Sequence, residues 1–230
     1  MSIRVVDRVD GWDQRPFGGG YGALHDLADE EFSGVVRAGG AEAYLTMGTV
    51  VAVRHGAIED FEAASGTVHE APAPALPLLA VMQEEDVDVR AQYYSEETPI
   101  SEVDGTLSSG GFTGYVELSE NVLSGDYFLV YHGGNSMSVA YVGNNDTLIT
   151  DDEAFQTAED EVGIYKVRQV DVEPVEIPEP TATEETEAEA AAAAATRVSS
   201  STGARATAAN ARRYVAPVWV NRPSAFSQQF

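Results

Sequence analysis

The stretch EEFSGVVRA at residues 30–38 is echoed by GGFTGYVEL at residues 110–118, with Phe32, Gly34 and Val36 matched by Phe112, Gly114 and Val116. This repetition constrains the fold more than any other feature, because the order of elements around the two motifs also recurs. Each motif follows a segment with helical spacing, such as Leu24, Leu27 and Ala28 in the first copy. Each is followed by two alternating apolar runs, a short acidic helical segment and a closing strand. Gly66–Val68 aligns with Gly163–Tyr165, and Ile58, Asp60 and Ala63 align loosely with Ile149, Asp151 and Ala154. The motif itself describes packing. Phe and Val alternate with small residues along a strand, and the Gly admits another backbone or a bulky side chain at close range.

The duplication predicts that residues 22–70 and 98–171 superpose. The expected fold class is α+β: two related small units, each a short helix plus antiparallel strands, followed by a disordered tail. The expected boundaries are 1–97 for the first unit with its connecting helix, 98–172 for the second, and 173–230 for an acidic, Pro- and Ala-rich linker and tail. Within this frame IRVVDRV at residues 3–9 reads as a first strand. The run from Leu76 reads as the connecting helix, and residues 86–95 fit a strand by alternation or a continued helix by composition. Thr98 is expected to cap a helix with Pro99 at its first position.

Charge sets the next bound. The chain carries 38 acidic and 13 basic residues, for a net charge of −25. Lys166 is its single lysine. Residues 1–172 therefore lack the basic footprint that nucleic acid or an anionic membrane surface requires. An acidic, lysine-poor and Cys-free composition reads as that of a halophile's cytoplasm, where salt screens self-repulsion. Without cysteine, disulfides and thiolate chemistry are excluded. No apolar run approaches membrane-spanning length, and the first residues lack the apolar region of a signal peptide. The expected location is cytoplasmic.

Composition breaks beyond Glu189, where no Asp or Glu follows and five Arg appear. Two readings follow: a native basic arm, or a shifted reading frame. The abrupt loss of acidic residues favours the second.

No residue constellation points to catalysis. GGGYG at residues 18–22 follows no strand of a βαβ unit and offers no Lys, so a flexible turn is preferred to a phosphate cradle. His25, His55, His69 and His132 lack metal-ligand spacing, and no nucleophile elbow occurs. No catalytic residue, metal site or cofactor is expected. The aromatic set Tyr93, Tyr94, Tyr115, Tyr127, Phe128, Tyr131 and Tyr141 reads as sheet packing with one face left for contact. On the strand from Asp126 to His132, alternation puts Tyr127, Leu129 and Tyr131 on one face. These three are the candidate interaction surface.

At residues 31–62 and 110–143 the chain resembles a haloarchaeal family of uncharacterised proteins loosely labelled transcriptional regulators. The resemblance covers about residues 1–178. Both repeats are also distantly similar to the PATAN-type α/β module of prokaryotic signalling proteins, which implies protein contacts. Members of the family resemble longer chains with an acidic linker and coiled-coil regions, and the resemblance carries no catalytic residues. The expected function is a non-enzymatic protein-interaction or regulatory module with an unidentified protein partner. The alternative is a small-ligand sensor with its site between the two units.

Overall fold

The computed structural model describes residues 3–120 and 122–180. The readings of a disordered or frame-shifted tail fall on residues 181–230, outside the described residues.

In the first repeat, a 3₁₀ helix Val5–Gly11 leads to β1 (Asp13–Phe17), α1 (Gly20–Asp29), β2 (Gly34–Ala38), β3 (Ala41–Thr46), β4 (Thr49–Arg54), a 3₁₀ turn Ile58–Phe61 and β5 (Gly66–Glu70). α2 (Ala75–Glu84) connects to the second repeat. This contains β6 (Val89–Tyr94), α3 (Ile100–Ser109), β7 (Gly114–Glu120), β8 (Gly125–His132), β9 (Asn135–Val142), β10 (Thr147–Thr150), α4 (Asp151–Asp160) and β11 (Ile164–Gln169). All strand pairings are antiparallel. The first sheet runs β1-β5-β2-β3-β4, and the second, read from the same end, β6-β11-β7-β8-β9-β10. Strand for strand the orders agree, with β10 added in the second repeat.

The equivalence extends to single hydrogen bonds. Phe32 N–H donates to the Leu27 carbonyl at 3.0 Å, and Phe112 to that of Leu107 at 3.1 Å. The hydroxyl of Ser33 accepts from Met47 N–H at 2.9 Å, and that of Thr113 from Gly133 N–H at 3.0 Å. A Cβ on Gly34 would collide with the His69 carbonyl, and one on Gly114 with the Arg168 carbonyl. The sequence motif is therefore the imprint of a close backbone crossing beneath a Phe ring, made twice.

The two sheets share a core. One face of each lies against α2, whose residues Ala75–Met82 are all buried. A helix apolar on every side must be enclosed, and ALPLLAVM meets Val35, Tyr44 and Val51 of the first sheet and Phe128, Val130 and Val139 of the second. Val5, Val9 and Trp12 fill the same layer. The outer face of the first sheet is covered by α1 and Phe61, and that of the second by α3 and α4. The order of layers is helix, sheet, helix, sheet, helix.

Both ends of the described chain cross between the repeats. Ile3 N–H donates to Asp126 Oδ2 at 2.9 Å, and Arg8 pairs with Asp146 at 2.5 Å. Beyond β11, Val175 N–H donates to the Val50 carbonyl at 2.8 Å, and Val175 and Ile177 pack on the outer core of the first repeat.

Several expectations are corrected by these placements. Residues 3–9 are not a strand. Val5 and Val9, four apart, enter the inter-sheet core from a 3₁₀ helix, so tertiary burial overrides β-propensity. Residues 89–94 form β6 of the second sheet, so the second repeat begins there rather than at residue 98. The segment after residue 172 docks on the first repeat to Pro178 instead of starting a free linker. Pro99, not Thr98, occupies the cap of α3. The pairing of β5 and β11 with β2 and β7 sets Val68 opposite Val36 and Val167 opposite Val116. The aligned pair is thus Val68 and Val167, two residues from the match read in sequence.

Candidate functional site

The residues proposed as exposed anchors are buried. Tyr127, Leu129 and Tyr131 are 1%, 1% and 0% exposed, beneath α3 and α4. Phe128 and Val130, on the opposite face, are buried against α2. The two faces alternate as expected, but this strand has a layer on each side. The hydroxyl of Tyr131 donates to Asp104 Oδ1 at 2.9 Å, and that of Tyr127 lies 3.1 Å from Ser124 Oγ and 3.2 Å from Glu161 Oε1. These hydroxyls tie the sheet to the elements around it. Tyr165 is buried likewise, which pushes its phenol up to about 12, and its hydroxyl donates to the Thr98 carbonyl at 2.9 Å.

The space between the sheets, expected as a ligand cleft in the alternative reading, is filled by Leu76, Leu78, Leu79 and Met82 of α2. Polar groups near it are tied to one another. Arg37 binds Glu42 at 2.7 Å and also Asp10, and Tyr44 donates to Glu42 at 3.0 Å. The Arg37 guanidinium holds the Asp10 carboxyl below the usual range. His69 sits beside this network on β5, and burial holds its pKa below the ordinary value. Among the described residues, no group of three or more His, Asp or Glu is placed to hold a metal ion. No described helix is long and apolar enough to cross a membrane.

What the fold leaves open lies at β6. Val89, Tyr93 and Tyr94 are 38%, 39% and 39% exposed, in contrast to the other aromatic residues of that sheet. β6 bonds only to β11, and its other edge is free. Ser95 N–H donates to the Gly163 carbonyl, so ladder alternation turns the backbone groups of Gln92 and the N–H of Tyr94 outward. Arg90 is the extra residue of a bulge at the start of the strand. Beside β6 runs a groove of about 640 Å³, floored by Ala91, Tyr93 and Val167 and walled by Glu102 and Thr106 of α3.

The equivalent place in the first repeat is a groove of about 540 Å³ with a different lining, which includes Arg15, Glu30, Phe32 and Glu70. Its floor residue at the position of Ala91 is Arg15, as the pairings of Ala91 with Val167 and Arg15 with Val68 establish. Arg15 pairs with Glu30 at 3.3 Å and lies 5.6 Å over the Phe32 ring. Glu30 caps α1 where Gly110 caps α3. Phe17 stands where Tyr93 does, and it is buried edge-on against Phe61 at 6.3 Å. Arg15, Glu30, Phe17 and Phe32 of the first repeat thus correspond to Ala91, Gly110, a solvent-facing Tyr93 and Phe112 in the second.

The other edges are each managed. β1 carries Pro16, which has no N–H to offer. β4 receives Val175. β10 is four residues long and runs directly into α4. Two sequence features point to β6, the alternation of VRAQYY and the absence of Pro, but its composition fits a helix as well.

Comparison of the chain with protein-family models, with curated proteins and with solved structures gives no match.

Proposed function

We propose that the chain is a non-enzymatic protein-interaction or regulatory module of a halophilic cytoplasm, and that it meets its partner through the second repeat. The observation that carries this reading is the contrast between the two grooves. One copy of a duplicated surface carries the Arg15–Glu30 ion pair, a buried Phe17 and an edge strand interrupted by Pro16, and the other leaves an edge strand without Pro and two tyrosines in solvent. Aromatic side chains at an exposed edge are suited to act as contact anchors. Ligand sensing between the repeats has no comparable support, since α2 occupies that space.

Purification of the tagged full chain from its host in molar salt, followed by native mass spectrometry, tests the reading. A stoichiometric protein partner is the expected result. A co-purified metabolite without a partner, or turnover of a substrate, would overturn it.

A further inference from the structure

We infer that β6 accepts an extended peptide from a partner protein as a seventh strand of the second sheet, and that the recognised peptide has basic residues on both sides of an apolar or aromatic centre. This inference rests on the interaction reading above and names the class of partner.

Three features of the edge lead to it. The outward backbone groups of Gln92 and Tyr94 N–H are unused within the sheet, and an added strand would satisfy them. Alternate side chains of that strand would face the groove beside α3, where Tyr93, stacked on Tyr165 at 5.4 Å, offers an ordered aromatic floor. The charges then choose the occupant. β6 itself carries one cation, Arg90 at its bulged start, and no acidic residue, whereas Asp86 and Asp88 precede it and Glu96 and Glu97 follow it, all exposed, so acidic groups outnumber the cation along the edge. Among the described residues none of these four forms an ion pair. Glu102 and Asp171 add negative charge along the groove.

The same charges argue against a second copy of this chain. Antiparallel self-pairing about Gln92 would set Asp88 of one molecule opposite Glu96 of the other, and like charges directly opposed across strands are destabilising. A peptide with Arg or Lys at each end meets both acidic flanks at once and is steered to the edge by the negative field.

The test uses the full chain and a fluorescent, capped peptide Arg-Arg-Thr-Val-Tyr-Val-Thr-Arg-Arg. Binding is read by anisotropy and hydrogen exchange. Expected are saturable binding and amide protection confined to residues 89–95. A peptide with Glu in place of each Arg should bind weaker by about tenfold or more at low salt. Two variants separate edge from groove. Gln92→Pro removes an outward N–H without taking a bond from β11. Ala91→Arg with Gly110→Glu copies the Arg15–Glu30 ion pair of the first repeat into this groove. Each should weaken peptide binding by about tenfold or more with the melting temperature unchanged. Protection elsewhere, equal binding by folded variants, or a dimer of the chain that excludes the peptide would overturn the inference. A native partner that footprints away from β6 also overturns it and leaves the interaction reading standing. A purified metabolite without a partner overturns the interaction reading.

Discussion

Gly134 donates its backbone N–H to the carbonyl of Phe112 at 2.9 Å, and Gly48 makes the same bond to Phe32 at the same distance. Both glycines have positive φ, +86° and +77°. A Cβ on either would strike a helix carbonyl, that of Ser108 or Ala28. The hairpin turn is thus pinned beneath the end of the preceding helix in each repeat. This contact fixes the close approach of the helix end to the hairpin in both repeats.

The close crossings should be costly to disturb. Gly34→Ala and Gly114→Ala each force a Cβ into a neighbouring strand's carbonyl, and each should destabilise by about 1–3 kcal/mol. Gly114→Ala should be the worse, because its φ of +145° strains any other residue. Urea unfolding of the two variants measures this. Equal stability with the parent would show that the strands can move apart freely.

Because α2 belongs to both sheets, the repeats should unfold together. Leu79→Ala removes a fully buried side chain from the shared layer and should cost about 2–5 kcal/mol. Hydrogen exchange should show protection lost to the same extent in β3 and in β8. Loss in one sheet alone would mean that the repeats are separate cooperative units.

Replacing Tyr127, Leu129 and Tyr131 together by Ser should abolish folding, since three core side chains and the bond from Tyr131 to Asp104 are lost. Circular dichroism of the triple variant provides the check. This placement also shows what the sequence could and could not disclose. Phe-x-Gly-x-Val was legible as a repeat because it records a local backbone crossing. The inward faces of β8 were legible as alternation, but a strand with one covering layer alternates like a strand with two. ALPLLAVM announced a helix buried all round without naming the sheets that bury it. β1, with Pro16 and a single buried Phe17, gave no periodic signal at all. The groove was hidden for a further reason. Its distinct lining depends on what Ala91 and Gly110 lack relative to Arg15 and Glu30, and that comparison requires the register between repeats.

Acidity should weaken the fold through His69. Burial and the charge of Arg37 depress its pKa, while the Val9 carbonyl, Asp10 and Glu42 act in the opposite direction. The unfolded chain then binds the proton more tightly than the folded one. Stability from this group is complete above the ordinary histidine value of 6.5 and is lost as pH falls from there toward the depressed value. His69→Gln should flatten the stability profile as pH falls below the ordinary histidine value of 6.5. An unchanged slope in the variant would assign the pH dependence to other groups.

Salt should act in the opposite sense to dilution. Residues 1–180 carry 34 acidic and 8 basic residues, and their mutual repulsion is screened only at high ionic strength. The melting temperature should rise steeply from dilute buffer to molar KCl. A flat profile would contradict the halophilic reading.

The central claim is that the β6 edge of the second repeat, and not the β1 edge of the first, receives the partner. Hydrogen exchange of the full chain, alone and bound to the protein recovered from its host, tests it most directly. The account predicts protection confined to residues 89–95, with β1 and α1 unchanged. Protection centred on β1 and α1, with residues 89–95 exchanging as in the free chain, would contradict it.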